Sequence, residues 1–133
     1  MRRPEPAQRL ERSGKMTELK DRTMSGAILV SHRHAETRVC LVGAIDSALR
    51  QQASDSMGLA LMGGTPVVLD ASGATFVDSS GVAFVIQLAR AMQEAGVDLS
   101  LYDPERVLLS TLALVGLAGL VKVAPPDTAA AGA

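Results

Sequence analysis

With 133 residues, 47% of them apolar, the chain has the size and composition of one domain with its own core and is too short for two ordinary domains. Aromatic residues are 2% and the formal net charge is −1, which argues against the stacking platforms and basic patches of nucleic-acid binders. No apolar run reaches the ~18 residues of a membrane span, and a single cysteine, Cys40, precludes an internal disulfide and fits a reducing compartment.

Residues 1–25 carry a net charge of +3 and the remainder −4. The first segment has neither an apolar period nor an apolar signal-peptide core, and is expected to be a charged, disordered tail on a cytoplasmic protein. Ordered structure is expected over residues 26–124. Residues 27–32 and 37–45 read as two strands joined by the polar connection Arg33-His34-Ala35-Glu36, hence an antiparallel pair. In the second, Val39, Leu41 and Ile45 share one side and Arg38, Cys40 and Val42 the other.

Asp46-Ser47 offers cap chemistry for a helix whose stripe is Leu49, Ala53, Met57 and Leu61, ended by Gly63-Gly64-Thr65-Pro66. Val67-Val68-Leu69-Asp70 has the continuous apolar look of a central, doubly covered strand. Residues 71–77 read as a connection with a second short apolar element.

Asp78-Ser79-Ser80-Gly81 opens an apolar helix over roughly 80–95, with Gln87, Arg90 and Glu94 as its exposed stripe and Gly96 as its stop. Residues 97–102 alternate, with Val97, Leu99 and Leu101 inward. Asp103-Pro104 turns into a third helix near 105–115, with Leu108, Leu112 and Val115 inside. Residues 120–123 form a last strand, and 125–133 a disordered tail. The order β-β-α-β-α-β-α-β specifies an α/β fold: a mixed sheet of about five strands, mostly parallel after the hairpin, backed by three to four helices.

Enzyme chemistry finds little support. A serine hydrolase needs G-x-S-x-G at the strand-to-helix turn, but the chain has V-D-S-S-G there, and its two histidines, His32 and His34, both precede the serine. His32, His34, Glu36 and Cys40 match no recurrent zinc spacing, so the histidines read as surface residues and Cys40 as packing. Neither G-x-G-x-x-G nor G-x-x-x-x-G-K-[ST] is present. No catalytic residue, metal or cofactor is expected.

Asp78-Ser79-Ser80-Gly81 carries two readings. Asp and Ser are helix-capping residues. Yet one cap needs one residue, which leaves a hydroxyl free, and the helix that follows is more apolar than one core stripe requires. The surplus is expected to face a second layer or a partner. Val82, Ala83, Ile86 and Gln87 lie one and two turns beyond Ser79. A phosphate on Ser79 adds about −1.5 to −2 charge beside that surface. The helix N-terminus favours an anion there, whereas Asp78 and a desolvating partner oppose it.

Residues 67–90, VVLDASGATFVDSSGVAFVIQLAR, resemble the signature of STAS domains in bacterial anti-sigma factor antagonists. Gly43-Ala44-Ile45-Asp46 is similar to the family's Gly-x-x-Asp after the second strand. Val115-Gly116-Leu117 and Leu120-Val121-Lys122-Val123 are similar to its late helix end and final strand.

The resemblance implies a partner switch in transcription regulation, of the kind that serves stress responses. The unphosphorylated protein, a monomer or weak dimer, binds an anti-sigma factor serine kinase of the histidine-kinase-like ATPase fold and so frees the sigma factor. That kinase phosphorylates the first serine of the motif, here Ser79, and a PP2C-type phosphatase restores it. Asp46, Asp78, Ser79, Ser80 and Gly81 are the partner-binding positions so implied, joined by Val82, Ala83, Ile86 and Gln87 from the helical spacing beyond Ser79. The alternative is a STAS module without a switch, either a stressosome scaffold or a lipid-transporter accessory subunit. Val82-Ala83-Phe84 stands where the family often has a second glycine.

Overall fold

A computed structural model describes residues 26–33 and 35–125. The expectations for residues 1–25, for His34 and for residues 126–133 lie outside the described residues.

Strand β1 (Ala27–His32) pairs antiparallel with β2 (Thr37–Ile45), from Ala27 opposite Val42 to His32 opposite Thr37. From β2 onward every pairing is parallel: β2 with β3 (Val67–Val77), β3 with β4 (Leu99–Tyr102), and β4 with β5 (Lys122–Val123). The sheet order is β1-β2-β3-β4-β5. Helices α1 (Arg50–Gly63), α2 (Ser79–Ala95) and α3 (Val107–Leu114) connect the successive parallel strands. Right-handed crossovers stepping in one direction lay all three helices on one sheet face.

The burial pattern follows from that arrangement. Val39, Leu41, Ile45, Val67, Leu69 and Leu101 point under the helices and are closed to solvent, as are Leu88 and Met92 of α2 and Leu108 and Leu112 of α3. Burying a side chain of this size contributes about 1.5–3 kcal/mol, so a core that is aliphatic apart from Phe84 holds the domain together. On the opposite face Leu29, Val42 and Phe76 are exposed. That face also holds an ion-pair network. Buried Arg38 donates from Nε to Asp70 Oδ2 at 3.1 Å and from Nη1 to Glu36 Oε2 at 2.8 Å, and its guanidinium lies 6.0 Å from the centre of the Tyr102 ring.

Several sequence expectations need correction. Residues 71–77 continue β3 rather than leaving the sheet, because Gly73, Ala74, Phe76 and Val77 pair with Val42, Gly43, Ala44 and Ile45 across two register shifts. The stripe of α1 follows 3.6 residues per turn, not four. Steps of four drift about 40° each, so Ala60 is buried and Leu61 is 37% exposed. Val115 lies beyond the end of α3, beside Gly116 at φ 77°, and is 56% exposed, while Leu109 takes the inward place. The expected strand at 120–123 is a 3-10 turn over Ala118–Leu120 followed by the two-residue β5. Helix ends otherwise differ by the usual one or two residues, with Gly64 and Gly96 in the left-handed conformation closing α1 and α2.

Candidate functional site

The last paired residues of β2 and β3 are Ile45 and Val77. The chain therefore leaves the two strands side by side, through Asp46 on one and Asp78 on the other. This is the carboxyl end of adjacent parallel strands, where open α/β sheets place their ligands.

Both aspartates act as caps. Asp46 Oδ1 accepts the Ala48 N–H at 3.0 Å and starts the 3-10 turn Ser47–Leu49 that leads into α1. Asp78, in extended backbone, accepts the Ser80 and Gly81 N–H groups on Oδ1 at 2.8 and 3.2 Å. Its own N–H donates to the Ile45 carbonyl at 3.1 Å, and its carbonyl accepts the Val82 N–H at 3.0 Å. A single residue thus supplies the N-cap of α2 and ties that cap to β2.

Ser79 is the first residue of α2 and is exposed. Among the described residues its hydroxyl has no hydrogen-bond partner, and neither has that of the half-buried Ser80. Gly81 is buried against the strand ends. Ala83 and Gln87 are exposed and Ile86 half-buried, so Ser79, Ala83 and Gln87 form one outward stripe at four-residue spacing. Arg90 and Glu94 extend the exposed surface of the helix.

Val82 does not join that stripe. It is 8% exposed and packed in the core with Phe84, Val85, Leu88, Ala89 and Met92, so its side chain is not available to a partner. The surplus apolarity of α2 is accounted for mainly inside the fold, because the helix packs both on the sheet and against neighbouring helices.

A cleft of about 360 Å³ opens between α1 and α2 at this end of the sheet. Ile28, Leu49, Met57 and Phe84 give it an apolar floor, and Asp46, Arg50, Ser80 and Gln87 are among its polar lining. Of the positions expected from sequence, Asp46, Ser80, Gly81, Ala83 and Gln87 line the cleft, while Asp78, Ser79, Val82 and Ile86 do not. Arg50, Met57 and Phe84 also line the cleft and are not among the site positions expected from sequence. Their spacing marks them only as ordinary positions on two amphipathic helices, and the cleft exists because those helices meet.

His32 stands at the opposite end of β2, paired with Thr37 and bonded through Nδ1 to Thr37 Oγ1 at 3.1 Å. Eight residues of strand, about 26 Å, separate it from the Asp46 end. Among the described residues no three His, Cys, Asp or Glu side chains group as metal ligands, and no helix is long and apolar enough to cross a membrane.

Comparison with known proteins places this arrangement in a family. Residues 28–122 match the family model described as "Mlab, STAS domain", and the chain belongs to the STAS-domain family. No curated protein matches it.

Solved structures share its fold. An anti-sigma factor antagonist from Mycobacterium paratuberculosis is 18% identical, with a TM-score of 0.67 over 81% of this chain and 93% of that one. SpoIIAA, an anti-sigma factor antagonist solved in its unphosphorylated form, is 20% identical, with a TM-score of 0.61 over 78% and 93%. The Bacillus cell fate determinant SpoIIAA in its phosphorylated form is likewise similar, at 19% identity and a TM-score of 0.60 over 80% and 98%.

Proposed function

We propose that this chain is a phosphorylation-controlled anti-sigma factor antagonist of the cytoplasm, with no catalytic activity of its own. Unphosphorylated, it binds an anti-sigma factor serine kinase through the outward stripe of α2 and the neighbouring cleft, and the sigma factor is released. The kinase moves the γ-phosphoryl group of ATP onto Ser79 Oγ, which loses its proton as ADP departs, and a PP2C-type phosphatase hydrolyses the ester. The observation that carries this reading is the exposed Ser79 hydroxyl, unbonded among the described residues and set one residue after a cap that is already complete. It is supported by STAS membership and by fold relatives whose names describe anti-sigma factor antagonists, one of them in a phosphorylated form.

The matching family model is described as a STAS domain and not as an antagonist, so a second reading stands beside this one: a STAS module that holds its partner without a switch, as a lipid-transporter accessory subunit would. The two part at Ser79. As a switch, Ser79→Ala binds the cognate kinase and stays bound in ATP, whereas Ser79→Asp binds at least tenfold more weakly, a loss of about 1.4 kcal/mol. Phosphopeptide mapping after incubation with kinase and ATP then finds the phosphate on Ser79. Equal binding by both variants, or a phosphate elsewhere, removes the switch.

A further inference from the structure

We propose that Arg50 receives the phosphate of phosphorylated Ser79 within the same chain, as an ion pair across the mouth of the cleft between α1 and α2. The inference rests on the reading of Ser79 as the phosphorylated residue.

A phosphate on Ser79 finds little help from α2. Helix N-termini bind anions through free N–H groups, but here Asp78 Oδ1 holds those of Ser80 and Gly81 and the Asp78 carbonyl holds that of Val82, which leaves only the N–H of Ser79 itself. Its carboxylate neighbours, Asp78 on the same turn and Asp46 at the adjacent strand end, are of like charge. The phosphate therefore calls for a cation from another element.

The described cations can be sorted by position. Arg38 is held by Glu36 and Asp70 on the other sheet face. Arg33 sits in the hairpin at the far end of β2. Arg90 is three turns along α2, about 16 Å from Ser79. Arg106 follows β4, which ends at Tyr102 opposite Asp70, whereas β3 runs on to Val77, about 23 Å further. Lys122 lies beside Ser100 in the sheet, 3.7 Å from Asp98.

Arg50 remains. It is the first residue of α1, exposed and without an ion pair among the described residues, and it lines the same cleft as Ser80 and Asp46. A guanidinium offers two parallel N–H donors to a phosphate, and its long side chain spans from one helix to the next. Held there, it also draws its stem across the cleft opening. Phosphorylation then both charges the stripe of α2 and narrows the apolar recess beside it.

The test installs phosphoserine at position 79 of the full chain during translation, so that no kinase is involved, and follows the phosphorus resonance with pH. A free phosphoserine loses its second proton near about pH 6. Pairing with Arg50 lowers that midpoint by about half a unit relative to Arg50→Gln, Arg50→Lys recovers part of the shift, and 1 M salt abolishes it. The same midpoint in the parent and in Arg50→Gln overturns the proposal. Failure of the kinase to modify Ser79 is a separate result, which removes the switch and leaves the measured contact standing.

Discussion

Gly81 lies against Ile45: a β-carbon on Gly81 would stand 3.0 Å from the Ile45 carbonyl oxygen and 2.6 Å from Val77 Cγ1. Neither neighbour can yield cheaply, since one is strand backbone and the other a β-branched side chain in the core. The glycine of the motif thus sets how closely α2 approaches the strand ends, and with it where Ser79 is presented. Gly81→Ala is expected to destabilise the domain by about 1–2 kcal/mol, the overpacking penalty outweighing the gain in helix propensity. A lowered urea midpoint with unchanged slope is the measurement, and a midpoint at or above the parent's contradicts the packing argument.

Capping and switching fall on adjacent residues and can be separated. Asp78→Ala leaves the Ser80 and Gly81 N–H groups without their acceptor and is expected to cost about 1–2 kcal/mol. Ser79→Ala removes an exposed hydroxyl with no described bond and is expected to stay within about 0.5 kcal/mol of the parent. Thermal melts of both variants check this. A Ser79→Ala chain as unstable as Asp78→Ala would place Ser79 in the cap.

Much of this was legible in the sequence because the local signals agree with one another. Strand–helix alternation dictated the parallel sheet, and the redundancy of Asp78-Ser79-Ser80 pointed to an unused hydroxyl. The misreadings have physical causes. Asp70-Ala71-Ser72-Gly73 carries turn chemistry, and Asp70 does accept the Ser72 N–H as in a turn, yet pairing with β2 carries the strand through it. Val82 was misplaced because sequence spacing gives neighbours on a helix but not the direction of the core. Arg50 was invisible because nothing near it in sequence says which helix faces it.

The start of α3 depends on one buried carboxylate. Arg106, at φ 59°, caps with no side-chain bond. Asp103, three residues earlier and 9% exposed, accepts the N–H groups of Val107, Leu108 and Leu109 at 3.2, 2.9 and 2.7 Å. Three donors depend on it where Asp78 serves two, and two of them are buried. Asp103→Ala is therefore expected to cost more than Asp78→Ala, about 2–3 kcal/mol. Hydrogen exchange of the Leu108 and Leu109 amides should accelerate well before that of β3. Unchanged exchange in α3 contradicts the assignment.

The acid limit of stability is expected to lie with Asp70. Burial pushes its carboxyl up, but the hydrogen bonds from Ser72 Oγ and N–H, at 2.6 and 2.9 Å, and the pairing with Arg38 more than offset this and hold it below the ordinary aspartate value. A carboxyl depressed in the folded state stabilises the fold at all pH above its unfolded value, about 3.9, and loses that contribution as pH falls toward the folded value. The urea midpoint is thus expected to hold level from pH 7 to about 5 and to fall steeply below about 4. Ser72→Ala, which removes the shortest of these bonds, should make that fall shallower and lower the plateau. Asp70→Asn should lower stability at pH 7 by about 3 kcal/mol, because Arg38 is buried and loses one of its carboxylates. It should also flatten the acid limb. An Asp70→Asn chain that keeps the full acid limb would move the origin of the pH dependence to another carboxylate.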